Sequence, residues 1–279
     1  MARPTYDVRD RTVLITGAAR GIGAETARRL AARGANLALV GLEPDLLDQL
    51  SGELGDRAVS WEADVRDAAA VGRAVDGAVE RFGGIDVVMA NAGIAPPVGT
   101  VAAGDPEAFE RVIDVNLFGV WRTVRATLPH VRARRGYVLC IASMAAAIHG
   151  PLMASYNVAK AGVEALADSL RPELAGDGVD VGCAYFGFID TDMVRDAFAE
   201  SPTQRLRAQA PAALTRPLPV AAAAQGLERG IERRARRIIV PRSAIPILFG
   251  GRLFQSLFDA GARRAGIGEI VRDVESGQA

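Results

Sequence analysis

Seven short apolar runs alternate with longer Ala- and Arg-rich stretches along this chain, and that alternation limits its fold more than any other feature. The runs cover residues 12–16, 36–41, 58–62, 85–90, 136–142, 179–184 and 237–240. Helical patterns fill 22–33, 44–54, 68–82, 106–132, 155–175 and 220–234. Strands that alternate with helices imply βαβ units, a parallel sheet and helices on both of its faces. The runs are apolar nearly throughout, as strands buried on both sides require. Right-handed crossovers then predict an α/β fold with a single Rossmann-like, doubly wound parallel sheet of about seven strands. This domain spans residues 1–241.

Two regions depart from the alternation. Residues 188–219 carry no strand signal and contain Pro202, Pro211 and Pro217 ahead of Pro219. The segment reads as a substrate loop with short helical pieces, because loops of this length in a compact domain are usually functional. Beyond it, residues 242–279 form an apolar C-terminal extension with Ile245, Ile247, Leu248, Phe249, Leu253, Phe254, Leu257 and Phe258. A lid or an oligomer contact is expected there. The alternative is an amphipathic segment lying on a membrane surface, given Arg252, Arg263 and Arg264.

Charge and cysteine content narrow the function. Thirty-three basic residues balance thirty-three acidic ones, which argues against nucleic-acid binding, since phosphate contacts need a basic excess. Cys140 and Cys183 each lie inside an apolar run, the first start of the chain is polar, and no stretch reaches the roughly 18 uncharged residues of a membrane span. A reduced, cytoplasmic setting is expected, and no metal-ligand set is.

The segment Thr16-Gly17-Ala18-Ala19-Arg20-Gly21-Ile22-Gly23 closes the first strand and opens the first helix. Glycines there let backbone approach a pyrophosphate, and the helix N-terminus supplies N–H donors and a favourable dipole. Gly17, Arg20, Gly21, Ile22 and Gly23 are therefore candidate dinucleotide contacts. A second concentration of chemistry lies at Tyr156-Asn157-Val158-Ala159-Lys160. Lys160 is the single lysine of a chain with 32 arginines, so this position holds a compact ammonium where a guanidinium serves everywhere else. Residues four apart share a helix face, which directs Tyr156 and Lys160 into one cleft. A free tyrosine, with pKa about 10, is a weak base at neutral pH. A neighbouring ammonium is expected to lower that value.

The G-x-x-x-G-x-G spacing together with Tyr-x-x-x-Lys resembles the short-chain dehydrogenase/reductase family over about residues 10–240. Further motifs carry the resemblance. Asp64-Val65 matches the adenine-contacting position, and Asn91-Ala92-Gly93 matches the Asn-Ala-Gly motif, with Ala90 where another Asn is frequent. Asn116 matches the helix asparagine, Ser143 the serine, and 187–191 the segment over the nicotinamide, where Ile189 and Thr191 are expected contacts. Phe186 replaces the usual proline, a departure that can redirect this loop.

The resemblance implies an NAD(P)(H)-dependent oxidoreductase that interconverts a secondary alcohol and a ketone. Tyr156 would be the acid/base, Lys160 would hold the ribose and tune Tyr156, Ser143 would hydrogen-bond the substrate oxygen, and Asn116 would hold a water that links Lys160 to solvent. The three-residue gap between Tyr156 and Lys160 disfavours enoyl reduction, which uses a wider spacing in related folds. NAD and NADP both stay open: Gly41 and Leu42 carry neither selectivity signal. Glu43 either reaches the ribose or simply starts a helix ahead of Pro44, and Arg20 either meets a 2′-phosphate or is solvated. Met193, Val194, Phe198 and Leu206 in the loop suggest an apolar substrate such as a steroid, a lipid-like chain or a polyketide. A homotetramer or homodimer through the helices of Asn116 and Tyr156 is implied by the resemblance. His149 is expected to be a loop residue, with substrate contact the alternative. A competing reading is a dinucleotide-binding regulator without significant catalysis, which would need the glycines but not Asn116, Ser143, Tyr156 and Lys160.

Overall fold

The computed structural model of the protein describes residues 5–209, 215–264 and 266–277, and the side chains of 251–254, 257, 258 and 262 are outside that description. Pro211 and the side chains of Arg252, Leu253, Phe254, Leu257 and Phe258 therefore lie outside the described residues.

Each of the seven apolar runs forms a strand. They are β1 (Thr12–Thr16), β2 (Asn36–Gly41), β3 (Ala58–Glu62), β4 (Val87–Ala90), β5 (Tyr137–Ile141), β6 (Asp180–Phe186) and β7 (Arg237–Val240). They pair in the order β3-β2-β1-β4-β5-β6-β7, every pair parallel. Successive residues serve opposite faces. Val13 and Ile15 join a buried cluster with Ala27 and Leu30 of α1 (Gly21–Ala32) and Leu227 and Ile231 of α9 (Val220–Glu232). Leu14 joins the opposite cluster, with Val71 and Val75 of α3 (Ala68–Phe82) and Val163 and Leu170 of α6 (Ala154–Leu174). Burial on both faces explains the unbroken apolar runs. Each large side chain so buried contributes about 1.5–3 kcal/mol.

Helix ends follow local chemistry. Asp67 caps α3 by accepting from the N–H groups of Ala69 and Ala70 at 2.8 and 3.1 Å, and Gly83 closes it in the left-handed conformation. Pro44 opens α2 (Pro44–Leu54), and Asp105 with Pro106 opens α4 (Pro106–Ile113).

Three expected boundaries shift. The fourth strand begins at Val87, and just ahead of it the Asp86 carboxylate accepts from Arg11 Nη1 at 2.9 Å and Thr12 N at 3.1 Å. The helix expected over 106–132 is interrupted by a π turn at Asp114–Phe118 before α5 (Gly119–Ala133). β6 runs through Phe186, which pairs with Val240. The 188–219 segment holds α7 (Asp192–Ala199) and α8 (Ser201–Ala208), and the extension holds α10 (Ile245–Arg264) and α11 (Ile267–Ser276). No helix among the described residues is long and apolar enough to cross a membrane.

β1 lies between β2 and β4, so the chain leaves neighbouring strands in opposite directions there. The crevice at the carboxyl ends of such strands is where ligands bind in open α/β sheets.

Candidate active site

The glycine loop is shaped by close packing. Gly17 has φ +64°, and a Cβ on it would come within 2.8 Å of Ala92 Cα. A Cβ on Gly23 would collide with the Gly17 carbonyl oxygen. Gly21, at φ +58°, faces the Thr191 methyl, which would lie 3.5 Å from an added Cβ. No side chain caps α1 at Arg20, in contrast to α3 and α4. An uncapped N-terminus behind a glycine turn is the donor set a pyrophosphate fits.

Asn91 braces this loop from β4: its Nδ2 donates to the carbonyls of Thr16 at 2.9 Å and Gly17 at 3.1 Å. Thr16 answers through its hydroxyl, which accepts from the N–H groups of Asn91 and Ala92 at 3.1 and 3.2 Å. Asn91 and Ala92 thus act on the loop's shape through the protein itself. Toward the outer edge of the crevice, Arg20 and Glu43 pair with each other at 3.0 Å. Two candidates that were weighed separately in the sequence are one exposed unit. The Asp64 carboxylate is bound by Arg66 through Nη2 at 2.6 Å, which holds it below the usual carboxylate range. Val65 is buried against Gly119.

The catalytic candidates converge at the ends of β4 and β5. The π turn brings Asn116 fully inside, where its Oδ1 accepts from Ile94 N at 2.7 Å and its Nδ2 donates to Ile94 O at 2.9 Å. A π turn inside a helix recurs at functional sites, and here it gives a mid-helix asparagine both partners. Gly93 is the meeting point: a Cβ there would lie 3.1 Å from Asn116 Oδ1 and 3.7 Å from Lys160 Nζ. Lys160 is buried and donates from Nζ to the Ile141 carbonyl at 3.0 Å. Its ammonium sits 5.5 Å from the Tyr156 ring centroid. Burial lowers its pKa to about 8, which still leaves it mostly protonated at neutral pH.

Ser143 ends β5's exit loop; its Oγ accepts from Ala145 N at 3.2 Å. It also donates to Phe186 O at 3.5 Å. Burial raises the Tyr156 hydroxyl above the ordinary tyrosine range, and the neighbouring Ser143 hydroxyl opposes that rise. The expected lowering by Lys160 does not operate in the protein alone. The ammonium faces the ring and the Ile141 carbonyl, and desolvation of the phenolate prevails. Tyr156 is therefore a neutral phenol at neutral pH, the form that donates a proton.

Ile189 is buried beside Leu218, and the Thr191 hydroxyl caps α7 by accepting from Val194 N at 3.3 Å. Phe186 does not divert the segment from the crevice, since Thr191 still lies over Gly21. His149 is exposed, and its backbone N–H and carbonyl are both bonded to the Gln255 side chain. Among the described residues no cluster of His, Cys, Asp and Glu could hold a metal ion.

The sequence reading missed Thr16, Ile94 and Ile141. A hydroxyl at the end of an apolar strand was a legible signal for Thr16. Ile94 and Ile141 contribute only backbone groups, which no side-chain pattern reveals.

A sequence model described as short chain dehydrogenase matches residues 11–202. The chain is 36% identical over 217 residues to cis-4-hydroxycyclohexanecarboxylate dehydrogenase of Sinomonas cyclohexanicum, covering 77% of this chain and 87% of that protein. It is 37% identical over 207 residues to (−)-trans-carveol dehydrogenase of Rhodococcus erythropolis, covering 68% and 74%. Among solved structures it resembles the 3-ketoacyl-(acyl-carrier-protein) reductase of Brucella melitensis complexed with NADH, at TM-score 0.75 and 27% identity over 84% of this chain and 97% of that one.

Proposed function

The chain belongs to the short-chain dehydrogenase family, an NAD(P)-dependent oxidoreductase of CH–OH and C=O groups, and on that premise we propose that it interconverts a secondary alcohol and a ketone on an apolar substrate with Tyr156 as acid/base. One observation carries this reading: a buried Lys160 ammonium lies 5.5 Å from the Tyr156 ring centroid on one helix face, with Ser143 beside the Tyr156 hydroxyl.

A bound nicotinamide dinucleotide supplies or takes the hydride. The chain's residues do the rest. Gly17, Arg20, Gly21, Ile22 and Gly23 offer the uncapped helix end to the pyrophosphate. Glu43 would meet the adenosine ribose, Asp64 and Val65 the adenine, and Gly93, Ile189 and Thr191 the nicotinamide half. Asn91 and Ala92 hold the loop in shape. Tyr156 gives its proton to the carbonyl oxygen on reduction and takes it back on oxidation, while Ser143 steadies charge developing on that oxygen. Lys160 faces the ribose and replaces the Tyr156 proton, with Asn116 beside it on the path to solvent.

The Arg20–Glu43 pair favours NAD(H). Glu43 neutralises the cation that a 2′-phosphate would need and adds a repelling carboxylate. The Brucella reductase, which binds NADH, supports the same choice.

For the substrate, two relatives named for ring alcohols and the apolar, tilted pair Phe188–Phe198, with ring centroids 4.9 Å apart, support an alicyclic alcohol or ketone. Exposed Phe118, Trp121 and Val158 on the helices of Asn116 and Tyr156 support a homodimer or homotetramer. Two free, buried thiols, with Cys183 pushed up to about 11 by burial, support a cytoplasmic setting.

Fluorescence titration with NADH and NADPH, followed by turnover of cyclohexanol-type alcohols by wild type and Tyr156→Phe, tests the reading. Tight NADH binding by both proteins with turnover only in wild type is expected. Full turnover by Tyr156→Phe would overturn the acid/base assignment.

A further inference from the structure

The extension touches the loop between Ser143 and Tyr156 and, on its other side, the α7–α8 pair that follows Thr191. On one side, Gln255 of α10 grips the backbone of His149. Its Oε1 accepts from His149 N at 2.8 Å, and its Nε2 donates to His149 O at 3.3 Å. The same Nε2 donates to Asp259 Oδ1 at 2.8 Å, one turn further along α10, which fixes the direction in which the amide faces. The gripped loop is itself tied to the catalytic helix, because Asn157 Nδ2 donates to Gly150 O at 2.8 Å. One residue before Asn157 stands Tyr156.

On the other side, Asp273 of α11 pairs with Arg205 of α8 at 2.6 Å, and Ile270 of α11 is buried. α8 follows α7, whose first turn is capped by Thr191. The extension is fixed to the body ahead of both contacts: Leu248 packs against the buried cluster that contains Cys183 and Tyr185. Both contacts then follow that anchor, on two helices that touch each other. They are two points along one strap whose start is held on the sheet.

We infer that Gln255 and Asp273 are specificity-determining positioning residues. Through them the extension sets the separation between the 144–153 loop and the α7–α8 pair, so that a compact ring alcohol is accepted and one with a bulky substituent is discriminated against. Neither residue touches the reacting atoms. The inference rests on the alcohol–ketone reading above and adds which part of the chain selects among such substrates.

The test uses the full chain with NAD, cyclohexanol as the compact probe and 4-cyclohexylcyclohexanol as the bulky one. Gln255→Ala and Asp273→Asn should each raise the bulky-to-compact ratio of kcat/KM about five- to tenfold. The change should fall on KM for the bulky alcohol, with kcat for cyclohexanol within about twofold. The reversed pair Arg205→Asp with Asp273→Arg should return the ratio toward wild type. An unchanged ratio in both single variants, with cyclohexanol turnover intact, overturns the inference.

Amide hydrogen exchange supplies the second measurement. If the two contacts are points along one strap, Gln255→Ala should speed exchange in α8 as well as in 144–153. Exchange confined to 144–153 overturns it. Should wild type bind NADH yet oxidise neither alcohol, the substrate reading of the preceding section fails, and the exchange result alone decides on the strap.

Discussion

The glycine loop after β1 and the C-terminal extension reach the same end of the sheet by opposite means. The loop is held by sterics and by partners one strand away: Gly17 against Ala92, and Asn91 on the Thr16 and Gly17 carbonyls. The extension is held by apolar packing at Leu248 and Ile270 and, at its contacts with the loops, by a few polar bonds across long stretches of chain, Gln255 to His149 over 106 positions and Arg205 to Asp273 over 68. The first kind of contact restricts backbone conformation and tolerates almost no substitution. The second depends on exposed side chains and tolerates a good deal. On the proposed reading, the difference assigns the chemistry to the rigid part and the choice of substrate to the adjustable part.

The largest effect should come from the rigid part. Lys160→Arg is expected to lower turnover by at least about 100-fold, within the 10²–10⁴ range of a lost proton-transfer partner. Arginine fills every other basic position in the chain, but this one is buried with a single carbonyl acceptor, Ile141 O. A guanidinium would bring five donors to it and leave most unpaired. Steady-state kinetics, with NADH titration as the control for binding, would check this. Turnover within a fewfold of wild type would break the distinction between the two regions at its strongest point.

Next in size is the pH dependence of stability. Burial lowers the Lys160 pKa to about 8 from an ordinary value of 10.5. Between those values the unfolded chain holds the proton and the folded one does not, so this group makes stability rise with pH across that window. Below about 8 both states are protonated and the burial penalty, on the order of 3 kcal/mol, is present in full. Cys140, Cys183 and Tyr156 are shifted upward by burial and act in the opposite sense at high pH. The useful quantity is therefore the difference between wild type and Lys160→Met in urea unfolding from pH 7 to 10.5. Wild type should gain relative to the variant as pH rises; a flat difference would contradict a buried ammonium.

A smaller effect is expected at Gly21, whose φ of +58° disfavours any Cβ although the nearest side-chain atom, in Thr191, would be 3.5 Å away. Gly21→Ala should cost about 1 kcal/mol from backbone strain alone, read as a lowered midpoint in urea. It should weaken NADH binding more than it weakens folding, because the added methyl points into the crevice that Thr191 borders. Equal losses in both would mean the loop's glycine serves the fold only.

The same division explains what the sequence revealed. Strand and helix positions were legible because a strand buried on both faces needs an unbroken apolar run, and because Asp67, Pro44 and Pro106 mark helix starts by local chemistry. The catalytic candidates Tyr156 and Lys160 were legible as a spacing on one helix face. The π turn was not: it arises from the pairing of Asn116 with the Ile94 backbone, 22 positions away. The raised Tyr156 hydroxyl was missed because spacing reports the nearness of Lys160 but not the direction of its ammonium or the loss of water around the phenol. The Arg20–Glu43 pair joins two loops, and each residue read alone pointed to a different cofactor.

The smallest expected effect separates stability from selectivity within the extension. Arg205 and Asp273 are partly exposed, 42% and 35% at the side chain, and ion pairs of that kind contribute about 0–1 kcal/mol. Asp273→Asn should therefore move the melting temperature by no more than about 2–4 °C. Salt distinguishes the two contacts of the strap. Screening weakens an exposed ion pair over a Debye length of about 8 Å at physiological ionic strength and about 3 Å at 1 M, whereas the Gln255 amide bonds to His149 involve no net charge. Raising salt should imitate Asp273→Asn in wild type, add little in Asp273→Asn itself, and retain its full effect in Gln255→Ala. A melting temperature lowered by 10 °C or more in Asp273→Asn would place the extension with the rigid part of the molecule and remove the contrast between a fixed catalytic floor and an adjustable rim.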